Sequence, residues 1–383
     1  MYNPDFDEIS PIKGAEFPEA VERLLGEKYF RAAIEYALPD VDFNEFSRLM
    51  RSCKTTYDFQ IKLVCPALFG IADRTTSGLS IDGLERVSAE NPAIFISNHR
   101  DIILDAAFFN ILILRAGFDS TEIAIGDNLL IFPWIKDLVR INKSFIVQRG
   151  VSARQILEAS KRLSGYIHYV IKEKKSSVWI SQREGRAKDA NDRTQDSLLK
   201  MLNLGGEHHF LENIKSLNII PLSFSYEYDP CDYLKAKEFQ MKRDDPDYKK
   251  QKNDDLLNMQ TGIFGFKGTV KLQLGTPINT KIDAISPNMD RNTQAAQVGK
   301  LIDSEIHRNY SIYSVNYMAF DKLEGETRFA HNYTPNERTA FEHYIDKQLD
   351  KIDIPNKDIN FLTVKLLEMY ANPLKNKLIA MEL

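Results

Sequence analysis

Asn98 and His99 stand where a short apolar run, 93–97, gives out, and two aspartates follow at once, Asp101 and Asp105. A histidine that takes a proton from a hydroxyl needs its ring held in one tautomer. It also needs a carboxylate to stabilise the imidazolium that forms. On a helix after residue 100, Asp101 and Asp105 share a face, because residues four apart are neighbours there. Either can reach His99. Asp101 also reads as a plain helix cap. Asp105 lies inside an apolar stretch, Ile102 to Phe109, and a carboxylate buried without a partner is costly. His99 is the obvious partner, which leaves Asp101 as the reserve.

Further along, three groups of residues carry charge or backbone freedom at strand ends. Arg149 closes a run over 144–148, and a guanidinium there can grip a phosphate with two parallel hydrogen bonds. Glu184-Gly185-Arg186 follows the run 177–181, with Lys188 just beyond. The glycine lets the backbone approach a ligand. Arg186 and Lys188 supply positive charge for a phosphate, and Glu184 can orient them. Ile219-Ile220-Pro221 opens the run 217–226; proline in a strand favours an edge or a bulge.

These residues need a scaffold that brings strand ends together. Apolar, β-rich runs at 93–97, 122–125, 144–148, 177–181, 217–226 and 269–274 alternate with helical patterns at 103–115, 129–140 and 151–171. That alternation predicts an α/β fold, a mostly parallel central sheet flanked by helices. Ligands in such sheets bind beyond the strand C-termini, where His99 is placed. The sheet region is expected over 81–283. Residues 1–80 read as an N-terminal helical region, with Pro66 breaking or kinking the helix over 43–72 and a turn at 75–78. The polar stretch 232–260 reads as a loop or an exposed helical insertion. Residues 284–383 read as a C-terminal helical extension with charged faces.

In order and placement these segments resemble the four blocks of the glycerolipid acyltransferases, the family of glycerol-3-phosphate and lysophosphatidate acyltransferases. His99 with a following Asp is similar to the first block. There the family has four residues between the two; here five separate His99 from Asp105 and one separates it from Asp101. The strand ending in Arg149 looks like the second block, and Glu184-Gly185-Arg186 like the third, although Gln182 and Arg183 replace the small or proline residues common before it. Ile220-Pro221 looks like the fourth. Ser225-Tyr226-Glu227 and the segment 267–278 are similar to the glycerol-3-phosphate branch. The resemblance covers about 93–280.

It implies direct transfer of a fatty acyl group from a thioester, acyl-CoA or acyl carrier protein, to the hydroxyl of glycerol-3-phosphate. His99 would be the base and Asp105 or Asp101 its support. Arg149, Glu184, Gly185, Arg186 and Lys188 would hold the phosphate-bearing acceptor, and Pro221 would line the acyl or glycerol end. Other acceptors of the same chemistry are lysophosphatidate or an acylated amino acid. The alternative of another class is a non-catalytic lipid- or carrier-binding protein on this scaffold. No cofactor or metal is expected beyond the thioester co-substrate. The chain has no Gly-x-Ser-x-Gly serine elbow and no His-Glu-x-x-His, although His208 and His209 are adjacent.

Bulk properties fit this reading. The chain has 383 residues, 43% hydrophobic and 27% charged, enough for a sizeable core. A net charge of −4 argues against a nucleic-acid partner. Three scattered cysteines, Cys53, Cys65 and Cys231, read as reduced thiols. The N-terminus lacks a signal pattern, and no run of about 20 apolar residues is present to span a bilayer. The expected location is cytoplasmic and peripheral, on the inner face of the cell membrane. The N-terminal helices read as a cap on the core, or else as an amphipathic membrane-facing surface.

Overall fold

A computed structural model describes residues 4–149, 152–250 and 252–382. Seven strands form one sheet: β1 (Gly78–Asp82), β2 (Ile94–Ser97), β3 (Glu122–Gly126), β4 (Ser144–Val147), β5 (Val178–Ser181), β6 (Ile219–Tyr226) and β7 (Thr269–Leu274). Their order across the sheet is β1-β7-β6-β2-β5-β3-β4. The strands β6, β2, β5, β3 and β4 are parallel neighbours. β7 runs antiparallel to β6, and β1 pairs parallel with β7. The fold is therefore α/β with a mostly parallel sheet.

All six runs expected as strands are strands. β1 is an addition, because its sequence follows a turn cluster and alternates exposed with half-buried positions. The sheet thus begins at Gly78, and its first strand spans residue 81, where the sheet region was expected to start.

Both faces of the sheet are covered. One packs Ile94, Ile96, Val178 and Ile219 against Ile167 and Val170 of the helix Ala153–Lys172 and against Val298, Ile302 and Ile306 of the helix Arg291–Arg308. The other packs Phe95, Trp179, Leu222 and Phe224 against the helix Leu104–Arg115. That second helix is buried nearly all round, which explains its unbroken apolar sequence. Its one amide, Asn110, accepts hydrogen bonds from the Thr121 N–H and hydroxyl and so fixes the start of β3.

Three expectations change. The segment 56–75 does not break at Pro66. A π-helical turn over Gln60–Val64 precedes the helix Cys65–Thr75, and the Cys65 N–H donates five residues back to Gln60. The widened turn accommodates a residue that lacks its own N–H. The first part of the stretch 232–260 is not an exposed insertion, whereas 242–250 is largely exposed. Helix Asp232–Asp244 buries Asp232, Lys235, Ala236 and Glu238 beneath the C-terminal helices, its polar side chains being paired inside. Pro221 sits in an interior strand rather than at an edge. Its carbonyl accepts from Gly275 N–H at 2.7 Å on the β7 side, one residue beyond the last β6–β7 pair, Leu222 with Leu274. The missing N–H faces that same side, so the pairing with β2 is not weakened.

After residue 284 the helix Arg291–Arg308 belongs to the core of the sheet. Helices Ser314–Glu324, Pro335–Asp350 and Ile359–Glu382 build a separate apolar cluster around Phe341, Leu366 and Tyr370. Among the described residues no helix is long and apolar enough to cross a membrane.

Candidate active site

The site forms where β2 leaves the sheet. Asn98 prolongs the β2–β6 pairing with its side chain, donating to Phe224 O at 2.9 Å and accepting from Phe224 N–H at 2.8 Å. This fixes the chain just before His99. The loop 100–103 then turns back over the N-terminus of the helix Leu104–Arg115.

His99 Nδ1 lies 2.9 Å from Asp105 Oδ2. The same oxygen accepts the N–H groups of Arg100 at 2.7 Å and Asp101 at 3.0 Å, and Asp105 Oδ1 accepts the Tyr226 hydroxyl at 3.0 Å. Four donors and a helix N-terminus surround a carboxylate with no exposure. A carboxylate so placed is an acceptor, so the His99 proton sits on Nδ1. Nε2 keeps its lone pair, and among the described residues no protein group is bonded to it. The ring is 14% exposed and meets Trp179 of β5 edge-on at 6.0 Å. Burial, reinforced by Asp105, pushes the Tyr226 phenol well above its ordinary range, so it remains a donor.

Asp101 does not touch His99. Its Oδ1 accepts from Ile103 N–H at 2.8 Å and Leu104 N–H at 2.7 Å, capping the helix that carries Asp105. Burial, with Asp105 nearby, raises its carboxyl. The extra residue between His99 and Asp105 is absorbed in this loop.

Beside His99 lies a buried cluster that sequence reasoning missed. Arg100 donates to Asp229 Oδ2 at 2.7 Å, and Lys235 reaches the same oxygen at 2.5 Å and the Arg100 carbonyl at 3.2 Å. Burial alone would raise the Asp229 carboxyl, but Lys235 and Arg100 outweigh it and hold it below the usual range. Burial lowers Lys235.

The remaining expected residues divide. Arg149, past the end of β4, lies 3.4 Å from the exposed Glu184 and packs over Gly126 at the end of β3. Gly185 adopts a φ of +67°, a conformation glycine takes without strain. Arg186 donates to Asn258 at 2.9 Å, while its Nη1 is buried and has no protein partner. Its charge acts on both Asp101 and Asp229, which places it toward the His99 loop. Lys188 is a correction: it turns away to Glu238 at 2.5 Å, a carboxylate that Lys242 and Lys250 also approach at 2.9 Å and 3.4 Å. Pro221 is a second correction. By strand alternation it shares its face with Ile219, under the helix Arg291–Arg308, whereas His99 meets Trp179 of the opposite face. Gly150, next to Arg149, lies outside the described residues. No group of three or more metal-ligating side chains occurs among the described residues.

No curated protein matches the chain. Among solved structures, the 1-acyl-sn-glycerophosphate (LPA) acyltransferase PlsC from Thermotoga maritima aligns at 12% identity with a TM-score of 0.36, covering 76% of this chain and 95% of that one. The acyltransferase family model matches residues 78–199, about a third of the chain, from β1 through His99, Asp105, Arg149 and Glu184-Gly185-Arg186. Residues 78–199 are thus similar to the acyltransferase family, the family that the His99 block resembles.

Proposed function

We propose that the protein transfers a fatty acyl group from a thioester, acyl-CoA or acyl carrier protein, to the hydroxyl of glycerol-3-phosphate in phospholipid synthesis. The observation that carries this reading is the His99–Asp105 pair, with Nδ1 committed to a buried carboxylate and Nε2 left free. Nε2 takes the proton of the acceptor hydroxyl as its oxygen attacks the thioester carbonyl. The tetrahedral intermediate collapses, the C–S bond breaks, and the thiolate takes the proton back from His99. Asp105 holds the ring and stabilises its charged form. No protein nucleophile and no cofactor enters.

Arg186, with its unpaired Nη1, and Arg149 are the cations available to the acceptor's phosphate, with Glu184 and Gly185 shaping the turn between them. Exposed Ile103 and Ile131, in the loops that follow β2 and β3, support a peripheral position on the inner face of the membrane, where an acyl chain can reach the site.

A radiolabelled acyl-transfer assay tests the proposal, with long-chain acyl-CoA or acyl carrier protein offered alongside glycerol-3-phosphate, lysophosphatidate or an acylated amino acid. Wild type should acylate glycerol-3-phosphate, and His99→Ala should lose about 10²–10⁴-fold of that activity. Acylation of another acceptor would move the assignment within the family. Thioester loss without an acceptor would indicate a hydrolase. Lipid binding by a protein inert toward every pair would indicate a non-catalytic role.

A further inference from the structure

A small chamber of about 20 Å³ lies against the His99 loop. Its polar lining includes Asn98, Arg100, Asp192, Ser225, Tyr310 and Asn316. Half of these groups are spent elsewhere. The Asn98 amide is bonded to Phe224, Ser225 Oγ accepts from Ser311 N–H, and Asn316 bridges Tyr313 N–H and Tyr370 O. Arg100 commits its Nη2 to Asp229.

What remains is a matched set. Both carboxylate oxygens of Asp192, Nη1 of Arg100 and the hydroxyl of Tyr310 are buried without a protein hydrogen-bond partner. Arg100 and the His99 backbone N–H face Asp192 and act on its charge, yet neither makes a well-aligned hydrogen bond to it. Leaving such buried groups bare is unfavourable. A water needs roughly 10–15 Å³ and two to four polar partners, and the chamber provides both.

We infer that an ordered water occupies this chamber and bridges Asp192, the Arg100 guanidinium and the Tyr310 hydroxyl, making Asp192 a positioning residue for the loop that carries His99. The water ties three distant pieces of chain together: the His99 loop, the turn that holds Asp192, and Tyr310, two residues past the helix Arg291–Arg308. Burial raises the Asp192 carboxyl to about 6, with the Arg100 charge pulling back. The kinetic part of this inference rests on His99 acting as the base; the water itself does not.

The first test is a high-resolution crystal structure of the full chain. Density for one water within hydrogen-bond distance of Asp192, Arg100 Nη1 and Tyr310 supports the inference. A dry chamber, or a direct Asp192–Arg100 ion pair that fills it, overturns it whatever the enzyme's activity. The second is kinetic. Tyr310→Phe and Asp192→Ala should each lower kcat about tenfold with KM little changed, as expected when a base is displaced by a fraction of an ångström. Asp192→Asn, which can still bond the water, should recover most of that loss. Wild-type kcat in a folded Tyr310→Phe protein would refute the positioning role. An inert wild type whose crystal still shows the water would instead refute the acyl-transfer reading.

Discussion

The Asp105 carboxylate receives His99 Nδ1 at 2.9 Å across five intervening residues, while the nearer carboxylate, Asp101, caps the helix instead. Sequence spacing could not choose between them. The loop geometry does, because Asp105 lies in the first helical turn and the chain folds back over it.

The two aspartates should therefore behave differently. Asp105→Asn should reduce kcat by about 10²-fold or more, since the ring loses its anionic support and its fixed tautomer. Asp101→Asn keeps a capping oxygen and should change kcat less than about threefold, whereas Asp101→Ala should cost about 1 kcal/mol of stability. Steady-state kinetics with chemical denaturation separates the two. A large kcat loss in Asp101→Asn with an unaffected Asp105→Asn would reverse the assignment.

Arg186 and Lys188 lie two residues apart in sequence but face different partners. Arg186 keeps a buried, unpaired Nη1, and Lys188 is tied to Glu238. Arg186→Ala should raise KM for the phosphate-bearing acceptor about tenfold or more, the loss of a charge-assisted hydrogen bond. Lys188→Ala should leave that KM nearly unchanged. Equal KM effects in the two variants would place Lys188 in the site after all.

The parts that were legible in the sequence were local. Short apolar runs gave six of the strands, and the end of one run placed His99 beside its carboxylates. β1 was not legible, because an edge strand that is half-buried on one face lacks the apolar run of its neighbours. The Arg100–Asp229–Lys235 cluster was hidden because Arg100 and Asp229 are 129 residues apart, and nothing in the neighbourhood of Asp229 marks it as buried. Lys188 misled for the same reason. Its position in a motif-like turn suggested a ligand contact, while its actual partner, Glu238, comes from a helix whose charged sequence looks like a solvated surface.

Tyr226 supplies the hydroxyl that satisfies Asp105 Oδ1. Tyr226→Phe keeps the ring and removes only that donor, leaving part of a buried carboxylate bare. The expected cost is about 1–3 kcal/mol of unfolding free energy. Urea denaturation of the variant measures it. A variant as stable as wild type would mean that Oδ1 is satisfied by another group.

Asp232 is fully buried and accepts the hydroxyls of Tyr370 at 2.6 Å and Tyr344 at 2.7 Å. Burial pushes its carboxyl up to about 7, with the two tyrosine hydrogen bonds pulling back. The folded state therefore holds this proton over a range where the unfolded chain, at an ordinary aspartate value near 3.9, has released it. Folding binds a proton there, so the Asp232 contribution to stability is fully present below about pH 4 and is lost as pH rises to about 7. Above that the ionised group costs on the order of 4 kcal/mol relative to its protonated form. Asp232→Asn cannot ionise and can still accept from both tyrosines. Its stability relative to wild type should climb between about pH 4 and pH 7 and then level off, as read from chemical denaturation at a series of pH values. A difference between the two proteins that stays flat across that range would mean that Asp232 remains ionised when buried.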